Sequence, residues 1–461
     1  MNTNPHEFRG TTETQQITLR GPAELADALP FMLGFHPSDS VVLVALHGEH
    51  GRFGGRVRLG IPRSTNEWPS TAEHLAECLV DGCTRRGTRP DGIVVFLCQD
   101  PAPGETGRHV MERLRPFAQR LRTACGALDI PVYEALCISD GLYFSYCCPD
   151  TRCCPPDGTP LALTGTSVMA ASAAYAGIQV RGSLREMEAR LTPRATPSSA
   201  DERQREALHK ASAVIIPKVF DGPPGAGRAE VRETTLTLAR KILGRFDTAA
   251  SGTPVPAAVG GSGTAEQDAA DDATIDADEA AALILGLQDR ETRDRAAEWM
   301  EGGEGAAALR LWRVLARRCV APFGEHAAAP LTLAGWVAWS TGDEPAARVA
   351  LGLALDADPE YVFARLLHQA CNEGLDPESL RSCLREERAS RQAAPETRAE
   401  PRPALPRSPR PSALRKAARV ARAGGATAGT RPGKGSPQRS RGVAARHGGA
   451  RGGQRGTRSG R

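Results

Sequence analysis

The chain has 461 residues, of which 40% are hydrophobic and 24% charged, with a formal net charge of +4. That total hides two objects: residues 391–461 carry 18 Lys and Arg against two acids, a net of +16, while residues 1–390 carry 40 basic and 52 acidic residues, a net of −12. Met1–Gln16 is polar and Pro160–Val180, most of the longest uncharged stretch, is rich in Gly, Ser, Thr and Ala; a secretory leader and a membrane span are therefore not expected, and a cytoplasmic protein with twelve reduced cysteines is.

Length favours two to three domains. Residues 1–16 are expected to be disordered, and Ile17–Leu19 to form a short strand. Ala23, Leu25, Ala26, Leu29, Met32 and Leu33 recur at helical spacing behind Pro22, which predicts a helix over 22–34. Val41–Leu46 is a continuous apolar run, a strand buried on both faces, and Phe53–Ile61 alternates and should return antiparallel to it. Helices follow at 70–86 and 108–125, and strands at 92–98, 130–138 and 142–146, the last two joined by a tight Asp140-Gly141 turn. Strands alternating with helices of this length predict an α/β domain over 17–160, a mixed sheet in three layers.

From Pro160 the pattern turns helical. Helices are expected near 166–177, 183–191, 200–216 and 227–246, a helical extension over 161–247. Residues 248–274 are poor in apolar bulk and read as a flexible linker. A helical domain then covers 275–388. Within it Gly335, Gly342, Ala347, Ala354 and Pro359 fall at the spacing of one tetratricopeptide-type helix pair, with Trp336 and Trp339 as candidates for a partner-binding face. Residues 389–461 hold no Phe, Trp or Tyr and are expected to be a disordered basic tail.

Three places could carry chemistry. Cys147-Cys148 and Cys153-Cys154 put four thiols within eight residues. Pro149, Pro155, Pro156 and Gly158 predict a rigid turn that these thiols pack against. Cys148, Cys153 and Cys154 could also hold zinc, or the thiols could act as a redox dithiol, although there is neither a second ligand pair nor a C-x-x-C spacing and adjacent cysteines do not easily aim at one metal. Gly34-Phe35-His36-Pro37-Ser38-Asp39-Ser40 reads as a structural turn in which Pro37 ends the preceding helix, with His36 and Asp39 as an acid/base alternative. That loop leads into a strand, whereas open α/β sheets bind ligands where strands exit. The exits are His47, with Glu49 and His50 beyond it, Gln99-Asp100, and Ser139-Asp140; His47, Asp100, Ser139 and Asp140 form the candidate pocket if the strands lie side by side. P-loop, G-x-G-x-x-G, H-E-x-x-H and G-x-S-x-G motifs are all absent, which disfavours the chemistries they serve.

The segments ITLRGPAELADALPFMLGFHPSDSVVLVAL, GRVRLGIP, YFSYCCPDTRCCPPDGTPL, LGLQDRETRD and GWVAWSTGDEPAARVAL resemble an actinobacterial family known as domain of unknown function 4192. The resemblance spans most of 17–388 and implies a fold but no activity. The expected function is a non-catalytic protein-interaction or scaffold protein with a protein partner. An enzyme or small-molecule sensor with a pocket at the strand exits is a second reading. A third is weak, salt-sensitive contact of the Arg/Gly-rich tail 391–461 with nucleic acid or another polyanion.

Overall fold

The structure, a computed structural model, describes residues 4–8, 15–19, 21–48, 51–161, 167–177, 180, 182–194, 196, 198–220, 225–250 and 262–393. Its first part comprises β1 (Asn4–Phe8), β2 (Gln15–Leu19), α1 (Pro22–Leu33), β3 (Ser40–His47), β4 (Arg52–Gly60), α2 (Trp68–Arg85), β5 (Gly92–Cys98), α3 (Gly107–Ala127), β6 (Val132–Ser139), β7 (Leu142–Ser145) and β8 (Thr159–Pro160). Helices follow: α4 (Val168–Tyr175), α5 (Leu184–Ala189), α6 (Ser199–Phe220), α7 (Ala226–Ala250), α8 (Ser262–Ala273), α9 (Ala277–Gly286), α10 (Arg290–Ala296), α11 (Gly302–Arg317), α12 (Ala328–Ser340), α13 (Glu344–Ala357), α14 (Val362–Asn372) and α15 (Glu378–Ala393). The fold is thus a mixed-sheet α/β region followed by a helical one. Among the described residues no helix is long and apolar enough to cross a membrane.

Strands β3 to β8 form one sheet in the order β4-β3-β5-β6-β7-β8. Only β5 and β6 run parallel; β3 is antiparallel to both β4 and β5. Successive side chains of a strand point to opposite faces, and β3 and β5 are apolar on both. Val41, Leu43, Ala45, Ile93, Val95 and Leu97 pack with Leu75 and Leu79 of α2 and Leu114, Phe117 and Leu121 of α3. Val42, Val44, Val94 and Phe96 face the other way, toward Leu29 and Met32 of α1, in a core that continues to Trp312 and Trp336. Each fully buried Leu or Phe contributes about 1.5–3 kcal/mol, so the α/β and helical regions are held by one shared core.

Several expectations are corrected. β1 and β2 pair antiparallel, so the N-terminal 16 residues are not wholly disordered. Gly34 (φ 83°), not Pro37, ends α1, its amide donating to Pro30 O at 2.7 Å. A Cβ on Gly34 would lie 2.4 Å from Pro345 Cγ, so this turn also seats α13. Part of the expected 248–274 linker is helix: α8 carries Asp268, Asp271 and Asp272 onto Arg190, Arg310 and Arg317. With little apolar bulk of its own, α8 is docked by these charges. Tail residues 394–461 lie outside the described residues.

Candidate functional site

The antiparallel setting of β3 divides the pocket expected at the strand exits. Ser40 is opposite Cys98 and Leu46 is opposite Gly92. His47 is therefore about 24 Å from the end of β5, about seven residue steps of about 3.4 Å away. At its own end of the sheet, His47 Nδ1 is 3.2 Å from Arg89 O, and the amide of Gly48 donates to Asp91 Oδ2 at 2.6 Å. Asp100, Ser139 and Asp140 do come together at the other end, where the Asp140 amide is 3.5 Å from Asp100 Oδ1. Asp140 (φ 56°) and Gly141 (φ 70°) make the tight hairpin turn as expected. Ser139 is buried, and its hydroxyl has no hydrogen-bond partner among the described residues. Glu49 and His50 lie outside the described residues.

The loop leading into β3 takes the place of His47 at this end. Asp39 (φ 45°) accepts from Gln99 Nε2 at 3.2 Å and from Arg185 of α5 at 2.6 Å. Gln99 Oε1 in turn accepts from Arg113 at 3.0 Å, and Arg113 pairs with Glu105 at 2.9 Å. The Arg113 hydrogen bond holds the Glu105 carboxyl below its usual range, and the bond to Asp39 raises Arg185. This chain of polar contacts ties β3, β5, α3 and α5 together. Both Asp39 and Glu105 already face guanidinium groups, so neither is a ready general base. His36 is held by its backbone: its amide donates to Gly182 O and its carbonyl accepts from Leu184, each at 2.9 Å. Burial lowers the imidazole pKa, with Glu186 opposing. A cleft of about 410 Å³ between α1, β4 and α13, lined in part by Met32, Arg56, Glu344 and Arg348, contains none of the candidate residues.

The thiols assemble closely. Strand pairing of Tyr143 with Thr159 closes the segment between β7 and β8. Ser145 Oγ accepts from the amides of Cys147 and Cys148 at 3.1 and 2.9 Å. The Asp150 carbonyl accepts from Cys153 and Cys154 at 3.1 and 2.8 Å. These bonds turn three thiols inward: the Sγ atoms of Cys148, Cys153 and Cys154 all lie within 4.8 Å of one another. The adjacent pair, Cys153 and Cys154, is 4.0 Å apart sulfur to sulfur, so adjacency does not keep them from converging. Burial and then the neighbouring thiols push Cys154 up to about 12. Cys147 is raised by burial and by Glu134, whose own carboxyl is raised by burial.

Trp336 and Trp339 are 0% and 4% exposed, packed edge to face at 5.9 Å, with Trp336 Nε1 donating to Ala297 O at 2.8 Å. They are core and present no partner-binding face, because α12 is buried on every side. Apolar surface lies elsewhere. The C-terminal half of α6 and the start of α7 form an arm, clasped by Lys218–Glu230 at 2.8 Å. On it Val214, Ile216 and Phe220 are 55%, 55% and 71% exposed. Ala213, Ile216, Pro217 and Phe220 follow the i, i+3, i+4, i+7 spacing of one helix face, and all four are exposed. That spacing is legible in the sequence; its exposure is not.

The family model described as Domain of unknown function (DUF4192) matches residues 22–378 of this chain. No curated protein and no solved structure matches it.

Proposed function

The chain belongs to the family described as Domain of unknown function (DUF4192), and we propose that this member is a non-catalytic protein-interaction protein of the cytoplasm. The observation that carries the reading is the exposed apolar face of the α6 arm, Ala213, Ile216, Pro217 and Phe220. Helices that insert into an apolar groove use anchors at this spacing. The partner is a protein with such a groove, and the exposed C-terminal half of α6 is the element it grips. The helix pair α12–α13 is built like a tetratricopeptide unit, with Gly335 against Ala347 and Leu351. Buried as it is, it serves as a cap that completes the core. The twelve cysteines suit a reducing compartment.

Replacing Val214 with a photocrosslinking amino acid in cells should trap one protein adduct, and Ile216→Asp with Phe220→Asp should abolish it. Exposed substitutions cost little stability, within about 0.5 kcal/mol, so the double variant should melt like the parent. No adduct, or an adduct insensitive to the double variant, refutes the reading.

A further inference from the structure

We propose that Cys148, Cys153 and Cys154 form a three-thiolate zinc site. Tetrahedral zinc with Zn–S bonds of about 2.3 Å holds its sulfurs about 3.8 Å apart. Cys153 and Cys154 are 4.0 Å apart, and all three sulfurs lie within 4.8 Å of one another. A disulfide needs about 2.05 Å, so the thiols sit close to metal-chelating separation and about twice as far apart as a sulfur–sulfur bond.

The backbone holds this spacing. Ser145 Oγ fixes the amide of Cys148 from one side, and the Asp150 carbonyl fixes those of Cys153 and Cys154 from the other. The turn that follows is equally constrained: a Cβ on Gly158 would meet the Phe144 ring at 2.7 Å. Cys153 is exposed and its two companions are half-buried, so an ion can enter from solvent. Soft thiolates select zinc over magnesium or calcium.

Among the described residues no fourth His, Cys, Asp or Glu joins the group. The fourth coordination position is then filled by solvent, as in zinc sites that keep an open position. Cys147 is not a ligand; it faces Glu134. Loading replaces three thiol protons by one Zn²⁺, releases three protons and leaves the site with one negative charge, so affinity rises with pH.

The full-length chain, purified under reducing conditions, should contain one zinc per chain by elemental analysis. Cobalt titrated into the metal-free chain should bind 1:1 and produce thiolate-to-cobalt charge-transfer absorption, a readout that needs no variant. Cys148→Ser, Cys153→Ser and Cys154→Ser should each weaken zinc binding by more than about 100-fold, since even outer-shell changes cost 10–100-fold. Cys147→Ser and Cys78→Ser should bind as the parent does. Failure of the parent to bind zinc or cobalt at 1:1 overturns the proposal, and so does equal loss of binding in Cys147→Ser.

Discussion

Gly335 sits where α12 packs closely against α13. A Cβ there would lie 2.7 Å from Leu351 Cγ and 3.3 Å from the Ala347 carbonyl. Leu351 is fully buried and has nowhere to move. Overpacking of this kind costs about 1–3 kcal/mol, so Gly335→Ala should lower the unfolding free energy in urea by that amount; a loss below about 0.5 kcal/mol would show that the contact yields. Asp294 of α10 makes a pH prediction. Burial raises its carboxyl from 3.8 to about 6, with Arg290 and Arg293 opposing. Below the unfolded value both states are protonated and nothing is lost. Between about 4 and 6 the unfolded chain ionises first, so stability falls as pH rises, and the loss is complete above 6. Asp294→Asn has no such proton. Its melting temperature should exceed the parent's at pH 7 and match it near pH 4; a margin independent of pH would assign the effect to something other than this titration.

At the scale of elements, α8 is held by ion pairs more than by apolar area. Asp271 is 2% exposed and accepts from Arg310 Nε at 3.0 Å, while Arg317 reaches Asp272 at 2.7 Å and Arg190 reaches Asp268 at 2.9 Å. Removing one partner of a buried pair strands the other charge, at about 3–5 kcal/mol. Asp271→Ala should therefore destabilise by about that amount in thermal unfolding. Adding Arg310→Met should recover much of the loss; a double variant as unstable as the sum of both singles would mean that the pairing is not the cause. Such a helix is hard to read in sequence. Its apolar content is low, its partners lie 39–78 residues away, and aspartates in an Ala/Gly-rich run look like solvated linker.

Across the whole molecule, arginines of α15 pair with acids of the body, and the last of them, Arg391, belongs to the basic segment. Arg381 pairs with Glu301 at 2.7 Å, Arg388 with Glu304 at 2.6 Å, and Arg391 with Glu298. Beyond Ala393 the sequence carries basic residues with almost no acids to match them. Truncation after Ala393 should abolish binding to duplex DNA measured in low salt, while binding by the full chain should fall steeply as salt is raised. Undiminished binding by the truncated chain would place the contact on the body instead.

The periodicities of Pro22–Leu33, Val41–Leu46, Gly92–Cys98 and the Asp140-Gly141 turn were determined by sequence alone, because apolar spacing and turn chemistry are local. So was the family likeness. Strand direction was not: an apolar run such as Val41–Leu46 is the same whether its neighbour runs parallel or antiparallel. That single choice moved His47 to the far end of the sheet and brought Asp39 beside Gln99. Burial of Trp336 and exposure of Phe220 were decided the same way, by which surfaces the shared core had room to cover. The convergence of Cys148, Cys153 and Cys154 accompanies hydrogen bonds from their amides to Ser145 Oγ and the Asp150 carbonyl. Those bonds are local, but the direction of each thiol is set by the whole turn between β7 and β8, so only the tertiary structure shows three sulfurs within 4.8 Å of one another.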